Sequence, residues 1–438
     1  MKLCLLPLLF AFAIAPATAA PADDLVARFS NAYRALDMRY LALSYRENIA
    51  SLVRETDIAA QRRLFGGLQR DLRQLDRSGL SPCQGLDLGR IAFETDANLH
   101  KLDVLERFTA LGERAVAGEQ GLYPMPLGRE WYRYFLKRWL TSDITPEQLK
   151  TSGEAELARV LARYRALQAS MGYAGRDEDF YAYLKNPAFM YPKGLTPKAD
   201  YEARQRIVFA NLARLFPPHS LKPAIVAESS RGDDFPADGY YDSGSRTFYF
   251  NKNGPLHQRR NVDMLLLHES TPGHHFQSHY AAQAKGRCPS TLPPIFYSAF
   301  SEGWAAYVEE FGKELGVYRL ASDELGAVEW DLVRSIRVVL DVGINYEGWS
   351  DKRAHAYWRE QLPMLPQLAE REIKRVRNWP VQAITYKYGA AAIRDLRAAE
   401  QARLGAGFDI KTFHDTLLRN GAMPLSVMPS LFPAAGSR

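Results

Sequence analysis

The sequence predicts a mostly α fold of α+β type, a long helical scaffold around a small β-sheet, and three observations predict it. Residues 22–118 are rich in Leu, Ala and Arg at helical spacing and carry few prolines. Helical patterning returns over 128–171 and again from Pro294 onward. Only two short stretches, 224–228 and 247–251, have strand composition. Both precede an apolar run, Met264-Leu-Leu-Leu267, that ends in His268-Glu269.

The N-terminal layer opens with runs such as Leu25-Val-Ala-Arg-Phe29 and Leu36-Asp-Met-Arg-Tyr-Leu-Ala-Leu43, which place apolar residues on one helical face. Gly128-Arg-Glu-Trp131 begins a helix with aromatics on its buried side. Thr145-Pro-Glu-Gln148 then restarts one: Thr145 as N-cap, Pro146 at the first helical position and Gln148 completing a capping box. A proline-punctuated block follows, with a helix over 201–216 inside it. The segment between the two strands is rich in Gly, Asp and Ser and reads as a loop. Beyond Pro294 the helical pattern is expected to break at Gly343, at Trp349-Ser350, between Pro363 and Pro366, and at Pro380.

At 438 residues, 47% hydrophobic and 24% charged, the chain has ordinary globular composition and enough material for a large core. The organisation expected is a signal peptide over 1–20, an N-terminal helical region over 21–195, and an α+β region over 196–438 with C-terminal helices. The last two are compatible with one continuous domain. Lys2, the apolar run from Leu3 to Ile14, and small residues up to Ala20 read as a secretory signal cleaved near Ala19 or Ala20. The apolar run is short and breaks at Pro16, against a membrane anchor, and no other segment spans. An exported protein, periplasmic or secreted, is therefore expected, with no stable membrane insertion once the signal is gone.

Of the three cysteines, Cys4 falls in the signal, too early for lipidation, and Cys83 and Cys288 remain. In an oxidising compartment they either pair or stay as two buried thiols. The formal charge is +6, or +5 without Lys2, and its basic residues are scattered. With no nucleic-acid motif beside them, nucleic acid is excluded as a partner.

The chemistry concentrates in His268-Glu269-Ser-Thr-Pro272-Gly273-His274-His275. Three imidazoles and a carboxylate behind buried leucines are costly to desolvate unless they bind something. Zinc peptidases commonly carry two His four apart on a helix, with a general-base Glu after the first. Here the second His is six or seven residues on. On an ideal helix the six-residue spacing turns the side chains about 120° apart, while seven returns them to one face. Pro272 forbids an ideal helix, so a bulge or restart is expected, with Thr271 as cap and Pro272 first in the new helix. Spacing alone leaves His274 and His275 both open.

A third ligand is supplied by Glu302 in Ser301-Glu302-Gly303-Trp304, on a helix that reads as mostly buried. Glu309, seven residues on, is a supporting residue or a surface charge. His275 and His279 are read as supporting or surface residues. Arg337 and Asp341, four apart, read as an ion pair, with Arg337 as a binder of a substrate carboxylate the other possibility.

These motifs resemble the bacterial family known as domain of unknown function 885. The resemblance is carried by His268-Glu269-Ser-Thr-Pro272-Gly273-His274 and Glu302-Gly303-Trp304, by Gly128-Arg-Glu-Trp-Tyr132 with Leu140-Thr-Ser-Asp-Ile-Thr-Pro-Glu147, and by Gln382-Ala-Ile-Thr-Tyr386-Lys-Tyr388-Gly389. The family is grouped with gluzincin-type zinc metallopeptidases, which implies a gluzincin-like active-site helix in a deep cleft. It also implies one Zn2+ ion held by His268, His274 and Glu302, favouring His274 over His275. Glu269 would be general base, and Tyr386, with Tyr388 as substitute, would donate to the oxyanion. The strand 247–251 would be the edge on which an extended peptide lies. Where the family pattern leads one to expect His, this chain has Asn345, which bears on specificity if that position touches substrate.

The expected function is zinc-dependent hydrolysis of a peptide or related amide bond, on oligopeptides, outside the cytoplasm. The alternatives are an exported, non-catalytic metal- or peptide-binding protein that keeps the fold, and a zinc hydrolase of a non-peptide amide or ester. Substrate preference, internal against terminal cleavage and oligomeric state are not set by the sequence.

Overall fold

A computed structural model describes residues 19–36, 38, 40–112, 120–192, 195–231, 238–251 and 258–432. The signal-peptide segment therefore lies almost wholly outside the described residues. The chain runs through helices α1 (Ala19–Ala35), α2 (Tyr45–Leu52), α3 (Ile58–Gln74), α4 (Pro82–Ala110), α5 (Gly128–Leu140), α6 (Pro146–Ser170), α7 (Asp177–Tyr183) and α8 (Lys198–Asn211). Three short strands follow: β1 (Ile225–Glu228), β2 (Gly239–Asp242) and β3 (Thr247–Phe250). Then come α9 (Arg259–Glu269), α10 (His274–Gln283), α11 (Ser298–Val308), α12 (Ala321–Asn345), α13 (Asp351–Gln361), α14 (Ala369–Asn378), α15 (Thr385–Leu404) and α16 (Ile410–Leu418). The described residues form a mostly helical fold with one small sheet. Among the described residues no helix is long and apolar enough to cross a membrane.

Local chemistry explains several boundaries. Thr145 accepts from the Gln148 amide and Gln148 reaches back to the Thr145 backbone, so the capping box forms as its residue types dictate. Ser81 and Gln84 repeat the device at the start of α4. The run from Leu36 to Leu43 is a correction: its described residues lie in the connection between α1 and α2, not in a helix. Gly343 is another. It does not break α12. Its missing side chain admits the Trp349 ring, since a Cβ there would sit 2.5 Å from Trp349 Cδ2.

The central scaffold is α12, 25 residues and about 38 Å long. It packs along α6 on one side and against α9 and α14 on others. The core formed there joins Leu157, Val160 and Tyr164 of α6 to Leu332, Ile336 and Val339 of α12. Helices α11 and α15 cross with backbones in contact. A Cβ on Gly303 would lie 2.5 Å from the Gly389 backbone, and one on Gly389 would lie 1.9 Å from the Ala299 carbonyl. That contact sets Glu302 and Tyr386 on facing helices.

The sheet corrects two expectations. Its order is β1-β3-β2, with β1 parallel and β2 antiparallel to β3. Thr247–Phe250 is thus the middle strand and cannot be the edge on which a peptide lies. The Gly-Asp-Ser segment read wholly as loop contains β2, whose Tyr240 pairs with Tyr249. Polar composition hid a strand that owes its place to pairing with β3, a case of context overriding propensity.

Cys83 and Cys288 form a disulfide, with Cα atoms 5.3 Å apart across 205 residues of sequence. It ties the start of α4 to the segment after α10.

Candidate metal centre

Helix α9 is buried on all sides, with Met264, Leu265, Leu266 and Leu267 in the largest core. Each such side chain contributes roughly 1.5–3 kcal/mol through burial. The polar residues it carries inside are partnered: Arg260 donates to Glu329 at 2.6 Å, and Asp263 pairs with Arg204. A helix so anchored delivers His268 and Glu269 at its last turn as rigid groups.

The chain then turns sharply through Ser270, a cis Thr271–Pro272 bond and Gly273. Helix α10 begins at His274, with Gly273 in the capping position. Thr271 caps nothing: its hydroxyl is buried without a hydrogen-bond partner. The physical reason is proximity. A Cβ on Gly273 would stand 1.8 Å from the His268 carbonyl and 2.4 Å from that of Leu267, so the second helix restarts in direct contact with the first. The Pro272 carbonyl accepts from Trp304 Nε1 at 2.8 Å, and Ser270 Oγ accepts from Gln205 at 3.0 Å. The turn is held from α11 and from α8.

This turn brings His274 back to His268, with ring centroids 4.9 Å apart and planes at 84°. Glu302 Oε2 lies 3.3 Å from His274 Nε2 and 3.5 Å from His268 Nε2. The ligand atoms of the three residues all fall within 4.8 Å of one another. His275 points elsewhere, with Nδ1 2.9 Å from the Tyr241 hydroxyl and Nε2 donating to the Lys222 carbonyl at 2.8 Å. His279 Nε2 meets the same Tyr241 hydroxyl at 2.8 Å.

Glu309 is buried and sits behind His268. One oxygen is 2.7 Å from His268 Nδ1 and the other accepts from Arg334 at 2.8 Å. Burial opposes charge on His268, but the Glu302 and Glu309 carboxylates outweigh it and hold the imidazole up at about 9. Burial likewise raises Glu269 above the usual carboxylate range, while for Glu302 the facing histidines win against burial and hold it well below.

A cavity of about 280 Å³ opens on the cluster. His268, Glu269, His274, Glu302 and Tyr386 line it, along with residues from β2, α12 and α14. The Tyr386 ring stacks on His268 at 6.0 Å, and its hydroxyl faces Arg375 at 3.4 Å. Tyr388 is turned away, with its hydroxyl 2.9 Å from Ser142. Asn345 does not line the cavity: it is fully buried, accepting from the Leu122 amide and donating to the Val376 carbonyl, so it builds the fold there. The Arg337–Asp341 pair is a correction. Arg337 instead binds Glu372 at 2.6 Å, and Asp341 accepts from the Val381 amide at 2.8 Å, because α14 and the segment before α15 approach this face of α12.

Sequence reasoning missed Asp238, Trp330 and Arg375 in the cavity wall. Asp238 lies just before an unrecognised strand. Arg375 lies among the many charges of an amphipathic helix, where nothing in the pattern marks it.

A mostly helical scaffold that presents a His/His/Glu cluster beneath a three-stranded sheet is the class of protein these features define. The chain belongs to the family described as "Bacterial protein of unknown function (DUF885)", which matches residues 17–431. Among solved structures it is similar to the putative lipoprotein from Colwellia psychrerythraea, at 25% identity and a TM-score of 0.66, over 92% of this chain and 72% of that one. A lipoprotein of unknown function from Shewanella oneidensis, also described as putative, shares the fold at 16% identity and a TM-score of 0.58, over 94% and 87%. No curated protein matches.

Proposed function

We propose that this protein is an exported zinc-dependent hydrolase of peptide or related amide bonds, with the cavity around His268, His274 and Glu302 as its active site. The observation that carries the reading is the convergence of those three side chains. Two imidazole nitrogens and a carboxylate oxygen that lacks any hydrogen-bond partner face one point. A buried carboxylate oxygen left unsatisfied between two imidazoles is expensive unless a cation completes it. Two His and one carboxylate suit zinc. Zinc, when bound there, acidifies a water and polarises a carbonyl.

The residues of the chain have separate tasks. Glu309 accepts a hydrogen bond from Nδ1–H of His268, which leaves Nε2 as the ligand atom of the neutral ring. Glu269 lines the cavity and its carboxyl is raised by burial, toward the range suited to a general base. It would accept a proton from the attacking water and pass it to the leaving amine. Tyr386, stacked on His268, would donate its hydroxyl to the oxygen of the scissile carbonyl. The order of His-Glu, second His and downstream Glu resembles that of the gluzincins. Export is supported by the Cys83–Cys288 disulfide and by the lipoprotein description of the two similar structures.

The test is metal analysis of purified protein together with peptide-library cleavage by wild type and Glu269→Gln. The expected result is one zinc per chain in both, with the variant slower by about 10²–10⁴-fold. Zinc-loaded wild type that is inert across the library would overturn the peptidase reading. Activity on esters or non-peptide amides alone would move the reading to that chemistry, and metal binding without any hydrolysis would move it to a binding protein.

A further inference from the structure

The cavity wall beyond Tyr386 has a surplus of guanidinium groups. Glu372, fully buried, is shared by two arginines: Arg337 reaches one oxygen at 2.6 Å and Arg371 the other at 2.9 Å. Arg375, one turn further along α14, lines the cavity and has no carboxylate within ion-pair distance among the described residues. Its contacts are the Tyr386 hydroxyl at 3.4 Å and the rings of Trp379 and Tyr386, 5.0 and 5.8 Å from its guanidinium carbon. Its Nε is buried without an acceptor.

Two guanidiniums therefore share one carboxylate, and the third, Arg375, has none in ion-pair range among the described residues. Burial, reinforced by the charge of Arg375, brings Arg337 down to about 10 despite its bond to Glu372. Asp238 is the other acid on this wall, but it does not come within ion-pair range of Arg375, and one of its oxygens is buried without a partner. Burial pushes its carboxyl up to about 6 in spite of Arg371 and Arg375. A planar fork that lies near two aromatic rings and keeps a buried Nε without an acceptor is suited to a carboxylate.

We propose that Arg375, with Arg337 beside it, forms an anion subsite of this cavity that takes a carboxylate of the substrate. The inference rests on the hydrolase reading for its biological meaning, because the ligand it describes is that enzyme's substrate. Arg375 and His268 both lie against the Tyr386 ring, 5.8 and 6.0 Å from its centroid. A few residues of extended peptide, about 3.3–3.6 Å each, cover that span. The enzyme then favours short peptides with a carboxylate near the scissile bond, either the free C-terminus or an acidic side chain, over neutral capped ones.

The experiment uses the full chain loaded with zinc, as wild type and as Glu269→Gln. Calorimetry compares three probes: acetyl-Ala-Ala-Phe with a free carboxyl, its C-terminal amide, and acetyl-Ala-Asp-Phe amide. A charge-assisted hydrogen bond predicts about 10- to 100-fold tighter binding of at least one carboxylate probe than of the neutral amide. Which probe gains tells the α-carboxylate from the side chain. Arg375→Gln should abolish the preference while zinc content is unchanged, and Arg375→Lys should restore part of it. Equal binding of all three probes to wild type, or a preference that survives in Arg375→Gln, overturns the subsite, and the wild-type comparison needs no variant to fold. Selective binding without any cleavage by wild type would keep the subsite and remove the hydrolase. Cleavage indifferent to the carboxylate would do the reverse.

Discussion

Nδ1 of His268 lies 2.7 Å from Oε1 of Glu309, a residue just past the end of α11, while the other oxygen of Glu309 is occupied by Arg334. An ionised carboxylate only accepts, so the proton stays on Nδ1 and the ring is held in one orientation. Glu309→Gln should therefore lower zinc affinity by about 10- to 100-fold. Competition with a chromophoric chelator measures it, and unchanged affinity would show that the orientation of His268 does not depend on Glu309.

Gly273→Ala addresses the turn itself. The added carbon would meet the His268 carbonyl at 1.8 Å, and the obstacle is backbone, which cannot swing aside as a side chain can. The variant should lose about 1–3 kcal/mol of stability and most of its zinc affinity. Denaturant midpoints and metal content, measured on the same sample, check both. A variant that holds zinc as tightly as wild type would contradict the close approach of α9 and α10.

The disulfide closes a long loop, and in the chain-entropy view it acts on the unfolded state. Replacing both Cys83 and Cys288 with Ser should cost about 2–4 kcal/mol. Equilibrium unfolding of the double variant against wild type reads this directly, and reduction of the wild type with dithiothreitol should reproduce it.

Asp341 supplies a pH dependence. Burial pushes its carboxyl up to about 7, only partly countered by hydrogen bonds. Its folded value lies above its unfolded value of about 3.9, so its contribution to stability is complete below pH 4 and is lost as pH rises through 7. The full loss is on the order of 4 kcal/mol. Asp263, also raised to about 7, works in the same direction. Asp341→Asn should flatten, without abolishing, the fall in stability between pH 5 and 8, as measured by urea midpoints. An equally steep fall in the variant would exclude Asp341 as a source.

Much of the fold was legible because local signals were strong. The capping box at Thr145, the aromatic face of α5 and the strand composition of 247–251 all act within a few residues, and each has its element. Gly343 misled because a glycine's sequence signal for a break is the same as its signal for tight packing, and only the Trp349 ring decides between them. Strand β2 was hidden because its residues become a strand through pairing with β3. In the candidate site, His268, Glu269, His274, Glu302 and Tyr386 are singled out by motif and meet in one cavity. Arg375 and Asp238 carry no motif, and they enter the wall only because α14 and β2 are packed there.

By itself the sequence determined which chemical groups gather behind the leucines of α9, and that Pro272 and Gly273 must interrupt the helix between them. Side-chain chemistry and backbone sterics are local, so they can be read along the chain. Only the tertiary structure decided that His274 and not His275 turns toward Glu302, that Thr247–Phe250 is a middle strand, and that Arg337 serves Glu372 rather than Asp341. Each of those outcomes depends on which distant element supplies the nearest partner. A buried charge or an open strand edge takes the partner that packing brings to it, and spacing along the chain carries no information about which one that is.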